Sequence, residues 1–207
     1  GRQMVYGQAD YKGKLRSLAA SLDVVAHEFF HGVTESTAQL VYEMESGALN
    51  ESYSDIFGTL ISNDAIKSVD GWNWLIGDGL SSGLVAFRSM KDPTLYDQPK
   101  HMRDYRKLPN NSNGDWGGVH VNSGIHNHAA YLMMVSKRLG RFVFTPAEVA
   151  AIFYLTITQH LSRQSTFADS RRGAVLAARS LFRKLPPAQF TRKVGAVERA
   201  FTRVGVA

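Results

Sequence analysis

Asp23-Val24-Val25-Ala26-His27-Glu28-Phe29-Phe30-His31-Gly32-Val33-Thr34 is the stretch on which the reading of this chain turns. Its apolar residues recur at helical spacing, and Asp23 stands where a helix N-cap is expected. Within it lies the pattern H-E-x-x-H. A four-residue spacing on a helix puts His27 and His31 on one face, one turn apart. Both imidazoles can then reach one zinc ion at ~2.0–2.1 Å. Glu28 projects beside them, placed to take a proton from a water that the ion activates. Alone, the string also fits two surface histidines with a chance glutamate.

A zinc ion that does chemistry takes three protein ligands and keeps a fourth position open. Glu51 is the candidate for the third, with nineteen residues between it and His31. It falls on a second expected helix, 46–63, where Leu49, Tyr53, Ile56, Phe57, Leu60 and Ile61 recur every three or four residues. Asp55 lies one turn further on the same side. Ligating histidines commonly donate their other N–H to a carboxylate or carbonyl, and Asp55 and Asn50 suit that role. Asn50-Glu51 equally fits an acidic first turn that complements the helix dipole.

Outward from these segments, the 207 residues are 44% hydrophobic, enough for one well-buried domain or one large lobe. Gly and Pro are not enriched, which excludes disordered and fibrous classes. No apolar run approaches the ~18–20 residues of a membrane span, so no membrane partner is expected. The absence of cysteine excludes a disulfide framework, a Cys-ligated zinc and a thiol nucleophile. The net charge is +6, unevenly placed: 13 Lys/Arg face three acids from Lys137 onward, and 11 face 15 before it. A basic third can meet nucleic acid or an acidic surface. These cations, however, are spread at helical spacing among Ala, Leu and Phe, the pattern of solvated amphipathic helix faces. No nucleic-acid partner is expected.

Residues 4–7 could end a strand and 11–17 read as loop. The Gly-, Asn-, Asp- and Pro-rich stretch 64–118 reads as long loops with short elements. Helices are expected at 121–139, 146–161, 166–184 and 187–204, with Pro146 and Pro187 in first turns. The expected fold class is therefore mainly α: a helical domain over 21–207 with a short non-helical N-terminal stub over 1–20.

The zinc-helix string resembles that of the thermolysin family of neutral metalloendopeptidases. Ser46-Gly47-Ala48-Leu49-Asn50-Glu51-Ser52-Tyr53-Ser54-Asp55 resembles the family's second zinc segment, and Gly117-Gly118-Val119-His120-Val121-Asn122-Ser123-Gly124 its histidine segment. The resemblance implies a zincin-type helical lobe and hydrolysis of peptide bonds. It implies His27, His31 and Glu51 as zinc ligands and Glu28 as the base. Asp55 and Asn50 would orient the two histidines. His120, oriented by Asp115, and Tyr42 would stabilise the oxyanion, and Arg88 would clamp a substrate carbonyl. Leu15, Leu18, Val24, Ile76 and Phe87 would line a pocket for a large apolar side chain just after the scissile bond, with Phe87 making it shallower than usual.

The resemblance also carries departures. Ser62 stands where the family has a calcium-binding Glu, and the loop from Asn73 to Asp78 lacks the family's carboxylates, so a paired calcium site is not expected. Asp23 and Asp78 leave room for a single weak one. A further calcium loop looks shortened, with Val85 near the family's Asp. The family's N-terminal β-rich lobe, whose edge strand pairs with the substrate, is expected to be absent, with 1–20 as the remnant of the junction. Met4, Val5, Tyr6, Leu15 and Leu18 would then expose an apolar face for a partner N-terminal lobe or for self-association. The resemblance implies secretion. The competing expectation is a zinc-binding helical module, or an inactive half-enzyme that needs a partner lobe.

Overall fold

Ser21, extended at φ −108° and ψ 124°, opens α1 (Leu22–Ser36) in the computed structural model, which describes residues 6–11, 14–78 and 86–207. Ser21, not Asp23, is the N-cap; Asp23 lies in the first helical turn, where its charge complements the helix dipole. Ahead of α1, β1 (Gln8–Tyr11) and β2 (Lys14–Ser17) pair antiparallel, Gln8 opposite Ser17. The loop expected at 11–17 is thus mostly strand, a pairing that alternation over four residues is too short to announce. The expectations for Met4, Val5 and Val85 lie outside the described residues.

The fold is mainly helical. α2 (Met44–Ser62) is its axis and packs against α1 on one side and α3 (Asp115–Met134) on the other. Leu49, Tyr53 and Ile56 of α2 are fully buried, as are Ile125 and Met133 of α3. α4 (Pro146–Gln159), α5 (Phe167–Phe182) and α6 (Pro187–Arg203) close the core with Phe153, Phe167 and Phe201. α4 and α5 begin with complete capping boxes, Thr145 with Glu148 and Thr166 with Asp169, each satisfying two orphan N–H groups. Among the described residues, the stretch 64–114 is loop with 3-10 turns and a short antiparallel pair, β3 (Leu75–Ile76) with β4 (Arg88–Ser89).

Two local features position the site. Gly58 lets α1 and α2 touch: a Cβ there would sit 2.6 Å from the Asp23 carbonyl oxygen, so any side chain would push the helices apart. The second is a left-handed run at the start of α3, where Trp116, Gly117 and Gly118 take φ of 50°, 86° and 81°. Two glycines keep the strain of that run low, and Trp116 N–H to Asn111 C=O (2.9 Å) and Gly117 N–H to Pro109 C=O (3.0 Å) pin it. The Asp115 carboxylate then folds back over the regular helix and accepts from the N–H of His120 (2.7 Å) and Val121 (3.2 Å).

The helix expected to reach residue 139 stops at Met134. Leu139 and Gly140 both have positive φ (49° and 75°) and turn the chain between β5 (Lys137–Arg138) and β6 (Arg141–Phe142). That is the two-residue hairpin turn whose twist matches its strands, and it overrides the apolar periodicity that runs into it.

Candidate metal centre

The close approach of α1 and α2 brings His27 and His31 against Glu51. The Nε2 atoms of the two histidines lie 3.0 Å apart, and each lies 3.4 Å from a Glu51 oxygen. Ligands placed tetrahedrally around zinc at ~2.05 Å are ~3.3 Å from one another, so the three side chains stand at the spacing that one such ion requires. Glu51 Oε2 is buried and has no hydrogen-bond partner among the described residues. A buried carboxylate oxygen without a hydrogen bond is costly; Arg88 Nη2, at 4.0 Å, is too far to bond it, and a cation at the shared point would satisfy it directly. Glu51 is the eighth residue of α2, well past the first turn, where the dipole explanation for an acid does not apply.

The far sides of the histidines are held. His27 Nδ1 lies 2.8 Å from Asp55 Oδ1, and His31 Nδ1 lies 2.8 Å from Asn50 Oδ1. Each ring thus donates its Nδ1–H to an oxygen and turns Nε2 to the shared point. Burial alone would depress the His27 imidazole, but the Asp55 and Glu51 carboxylates outweigh it and raise it to about 9. The same electrostatics favour any cation there. Burial would raise Glu51, yet His27, His120 and Arg88 hold it well below the usual carboxylate range. Burial likewise opposes ionisation of Asp55, and Arg88 and His27 win, drawing it down to about 2.

Arg88 is buried and donates twice to Asp55, from Nε (2.8 Å) and Nη2 (2.7 Å). Tyr42 donates to Glu51 Oε1 and sits 3.1 Å from His120 Nε2. His120 Nδ1 lies 2.6 Å from Asp115 Oδ1, so the carboxylate that caps α3 also fixes the ring. A cavity of about 490 Å³ joins these groups, lined by His27, Glu28, His31, Tyr42, Glu51, Arg88 and His120. Leu18, Val24, Ile76 and Phe87 line it too. Leu15 does not: it is 67% exposed on β2, because the strand carries it away from the cavity wall.

Three contributors escape a reading of the sequence. Glu35, on the last turn of α1, lines the cavity. Ser54 Oγ lies 3.2 Å from His31 Nδ1. Asn127 donates to Asp55 Oδ2 at 2.8 Å and begins a buried polar chain. Ser52 Oγ donates to Asn127 Oδ1 (2.7 Å) and lies 2.7 Å from His126 Nδ1, and His126 Nε2 lies 2.8 Å from Ser170 Oγ, which lies 3.0 Å from the Tyr53 hydroxyl. Burial depresses His126 to about 3, so its ring is neutral. The direction of every bond is then fixed. Ser52 gives its proton to Asn127, so it accepts from His126 Nδ1–H. His126 Nε2 accepts from Ser170, and Ser170 accepts from Tyr53. The one signal in the sequence is a polar run, His126-Asn127-His128, just ahead of the apolar run of α3.

The carboxylate of Asp23 is used within the protein: Oδ1 accepts from Ser21 Oγ and Val24 N–H, and Oδ2 from Gly77 N–H at 2.7 Å. Asp78 Oδ2 accepts from Asn73 Nδ2 at 3.0 Å, and Ser62 Oγ donates to Thr59 C=O at 3.3 Å. Among the described residues no helix is long and apolar enough to cross a membrane.

Residues 38–206 match the model of the thermolysin metallopeptidase α-helical domain, and residues 1–35 match that of the thermolysin metallopeptidase catalytic domain. The chain belongs to the thermolysin metallopeptidase family. A neutral protease NprE of Bacillus pumilus is 41% identical over 207 residues, which are the whole of this chain and 61% of that protein. A bacillolysin of Brevibacillus brevis is 44% identical over 218 residues, covering all of this chain and 37% of its own length. A solved structure described as the precursor of protealysin, a metalloproteinase from Serratia proteamaculans, superposes with a TM-score of 0.78 at 35% identity, over 99% of this chain and 63% of that one. The chain thus spans between about a third and three-fifths of the curated relatives it matches. The thermolysin metallopeptidases use zinc, and the donor set here, two imidazoles and a carboxylate at tetrahedral spacing, fits that ion.

Proposed function

We propose that this chain is the zinc-binding lobe of a secreted endopeptidase that cleaves before a large apolar residue. The observation that carries the reading is the convergence of His27, His31 and Glu51 in a cavity they share with Glu28 and His120. When bound, zinc supplies Lewis acidity, polarising a peptide carbonyl and acidifying the attacking water.

The chain's own groups do the rest. Glu28 takes the water's proton and returns it to the leaving amine, so that its carboxylate is restored after each turnover. His120, held at Nδ1 by Asp115, presents Nε2 toward the carbonyl oxygen as it gains charge, and the Tyr42 hydroxyl beside it becomes a second donor by turning its proton away from Glu51 Oε1. Arg88 commits two N–H groups to Asp55 and keeps others for a substrate carbonyl. Leu18, Val24, Ile76 and Phe87 form the apolar wall that would receive the side chain after the scissile bond. No paired calcium site belongs to this reading, since Asp23 already accepts three hydrogen bonds within the protein.

A second reading, a zinc-binding half that needs a partner lobe, draws on exposed apolar residues on β2 and α1: Leu15 at 67%, Leu22 at 58% and Phe29 at 60%. An N-terminal lobe over these residues would hold the substrate backbone in line, a positioning effect that the isolated lobe lacks. Zinc titration with a peptide-cleavage assay, with and without an N-terminal lobe added in trans, separates the two. Zinc-dependent cleavage that rises strongly with the added lobe supports both parts. Full-rate cleavage by the 207-residue chain alone removes the need for the lobe. Zinc binding with no cleavage under either condition overturns the endopeptidase reading.

A further inference from the structure

Apart from the metal cavity, the end of α3, the β5–β6 hairpin and one face of α6 enclose a second cavity of about 420 Å³. None of its lining residues lines the first. Five of them are cationic, Lys137, Arg138, Arg192, Arg199 and Arg203, and none is acidic. Lys137 is neutralised by Asp70, at 2.7 and 2.9 Å. The four arginines are not: among the described residues no carboxylate comes within 4.0 Å of any of their guanidinium groups. Glu198, the one acid on α6, leans to Arg179 at 3.9 Å instead.

Folding accounts for only part of this charge. Cations at helix C-termini offset the dipole, which explains Arg203 in the last turn of α6 and the position of Lys137 just beyond α3. It does not explain Arg192, in the N-terminal half of α6, or Arg199. Arg199 and Arg203 stand four residues apart on one face, a like-charge spacing that weakens a helix. Arg192 Nε is shielded from solvent and has no hydrogen-bond partner among the described residues. A buried N–H without an acceptor is a standing cost, and the Arg192 side chain would shed it by turning toward an anionic oxygen in the cavity.

We propose that this cavity binds a compact multivalent oxyanion, a chain of phosphate groups of the triphosphate kind, held by Arg138 from the hairpin and by Arg192, Arg199 and Arg203 from α6. Guanidinium forks match phosphate oxygens bidentately. Four uncompensated positive charges call for a ligand with several negative ones, not a lone carboxylate. The cavity volume suits a small molecule.

The test is calorimetric titration of inorganic triphosphate into the zinc-replete protein at about 0.15 M salt, where diffuse surface attraction is largely screened. Saturable one-to-one binding is expected. Paired R192Q and R199Q substitutions should weaken it by about tenfold or more, since charge-assisted bonds are the strong ones. R138Q, on the exposed hairpin, guards against a folding defect in the double variant and should weaken binding about threefold. R183Q and K184Q, exposed and outside the cavity, should leave it unchanged. All the variants keep His27, His31 and Glu51, so heat from zinc chelation is common to all. Absence of saturable binding overturns the proposal. So does unchanged affinity in R138Q and the double variant, or equal weakening in R183Q and K184Q, which would reduce the effect to net charge.

Discussion

Replacing Asp55 by Asn changes one atom's identity and almost no volume, yet it should be among the most damaging substitutions in the chain. Asp55 is fully buried and accepts four hydrogen bonds, from Arg88 Nε (2.8 Å), Arg88 Nη2 (2.7 Å), Asn127 Nδ2 (2.8 Å) and His27 Nδ1 (2.8 Å). An Asn side chain supplies only one acceptor oxygen, so its amide N–H groups must face at least one of these donors. The substitution also leaves Arg88 buried without its neutralising partner. Breaking a buried ion pair from one side costs ~3–5 kcal/mol, a large share of a typical stability of ~5–15 kcal/mol. The His27 ring loses its charged partner as well, and such outer-shell losses cost ~10–100-fold in metal affinity. Urea unfolding of the zinc-free protein reads the first effect, and competition with a chelating dye reads the second. R88M tests whether the cost belongs to the pair. In a double-mutant cycle, D55N with R88M should cost markedly less than the sum of the two single changes, because the stranded charge goes too. The reasoning is refuted if D55N costs under ~1 kcal/mol with zinc affinity unchanged, or if the two costs simply add.

Two further outcomes are expected. Glu28→Gln should retain zinc, since Glu28 is assigned as base and not as ligand, and should lose peptide cleavage by at least ~10²-fold; atomic absorption and a fluorogenic peptide assay check both parts, and loss of zinc would overturn the assignment. His126 is held at about 3 in the folded protein by burial, against ~6.5 when unfolded. Between those values the unfolded chain binds the extra proton, so stability is full above pH ~6.5 and falls as the pH drops toward 3. At pH 5 the loss from this group is ~2 kcal/mol, at ~1.4 kcal/mol per pH unit. H126N cannot titrate, so its unfolding free energy should fall less than the parent's between pH 7 and pH 5 by about that amount; parallel pH profiles would contradict it.

The parts of this molecule that are legible in its sequence are those with short-range causes. His27 and His31 share a face because four residues make a helical turn, and the helix is announced by its own apolar spacing. The start of α4 is written in Thr145-Pro146 and Glu148, and that of α5 in Thr166 and Asp169. The hairpin before α1 is not legible, because four-residue strands carry too little alternation. The end of α3 is misplaced because apolar spacing continues through Val135 to Leu139 and gives no stop. The stop comes from the turn at Leu139-Gly140, whose positive φ values leave only a weak local mark. Leu15 misses the cavity because a pocket wall depends on which way a strand faces, which spacing alone does not give. Asn127, Ser52 and Ser170 are invisible for a different reason. They meet across 75 and 44 residues of chain, and a polar residue on a helix does not say what it will meet.

The one-way polarity of the bonds from Tyr53 to Asp55 has a consequence for how such a core can change. Each member hands its single proton to the next, so the residues work like the pins of a keyed lock, in which shape alone does not grant entry. Asn127→Asp fits the space and presents an acceptor to the Asp55 acceptor. Ser170→Ala fits and leaves His126 Nε2 with no donor. His126→Leu fits poorly, leaves the Ser170 proton with no acceptor and takes from Ser52 the donor it accepts from. A sequence that drifts at one of positions 52, 126, 127 or 170 must therefore pass through a misfitted intermediate, or shift several of them together toward an apolar set that needs no protons to pass.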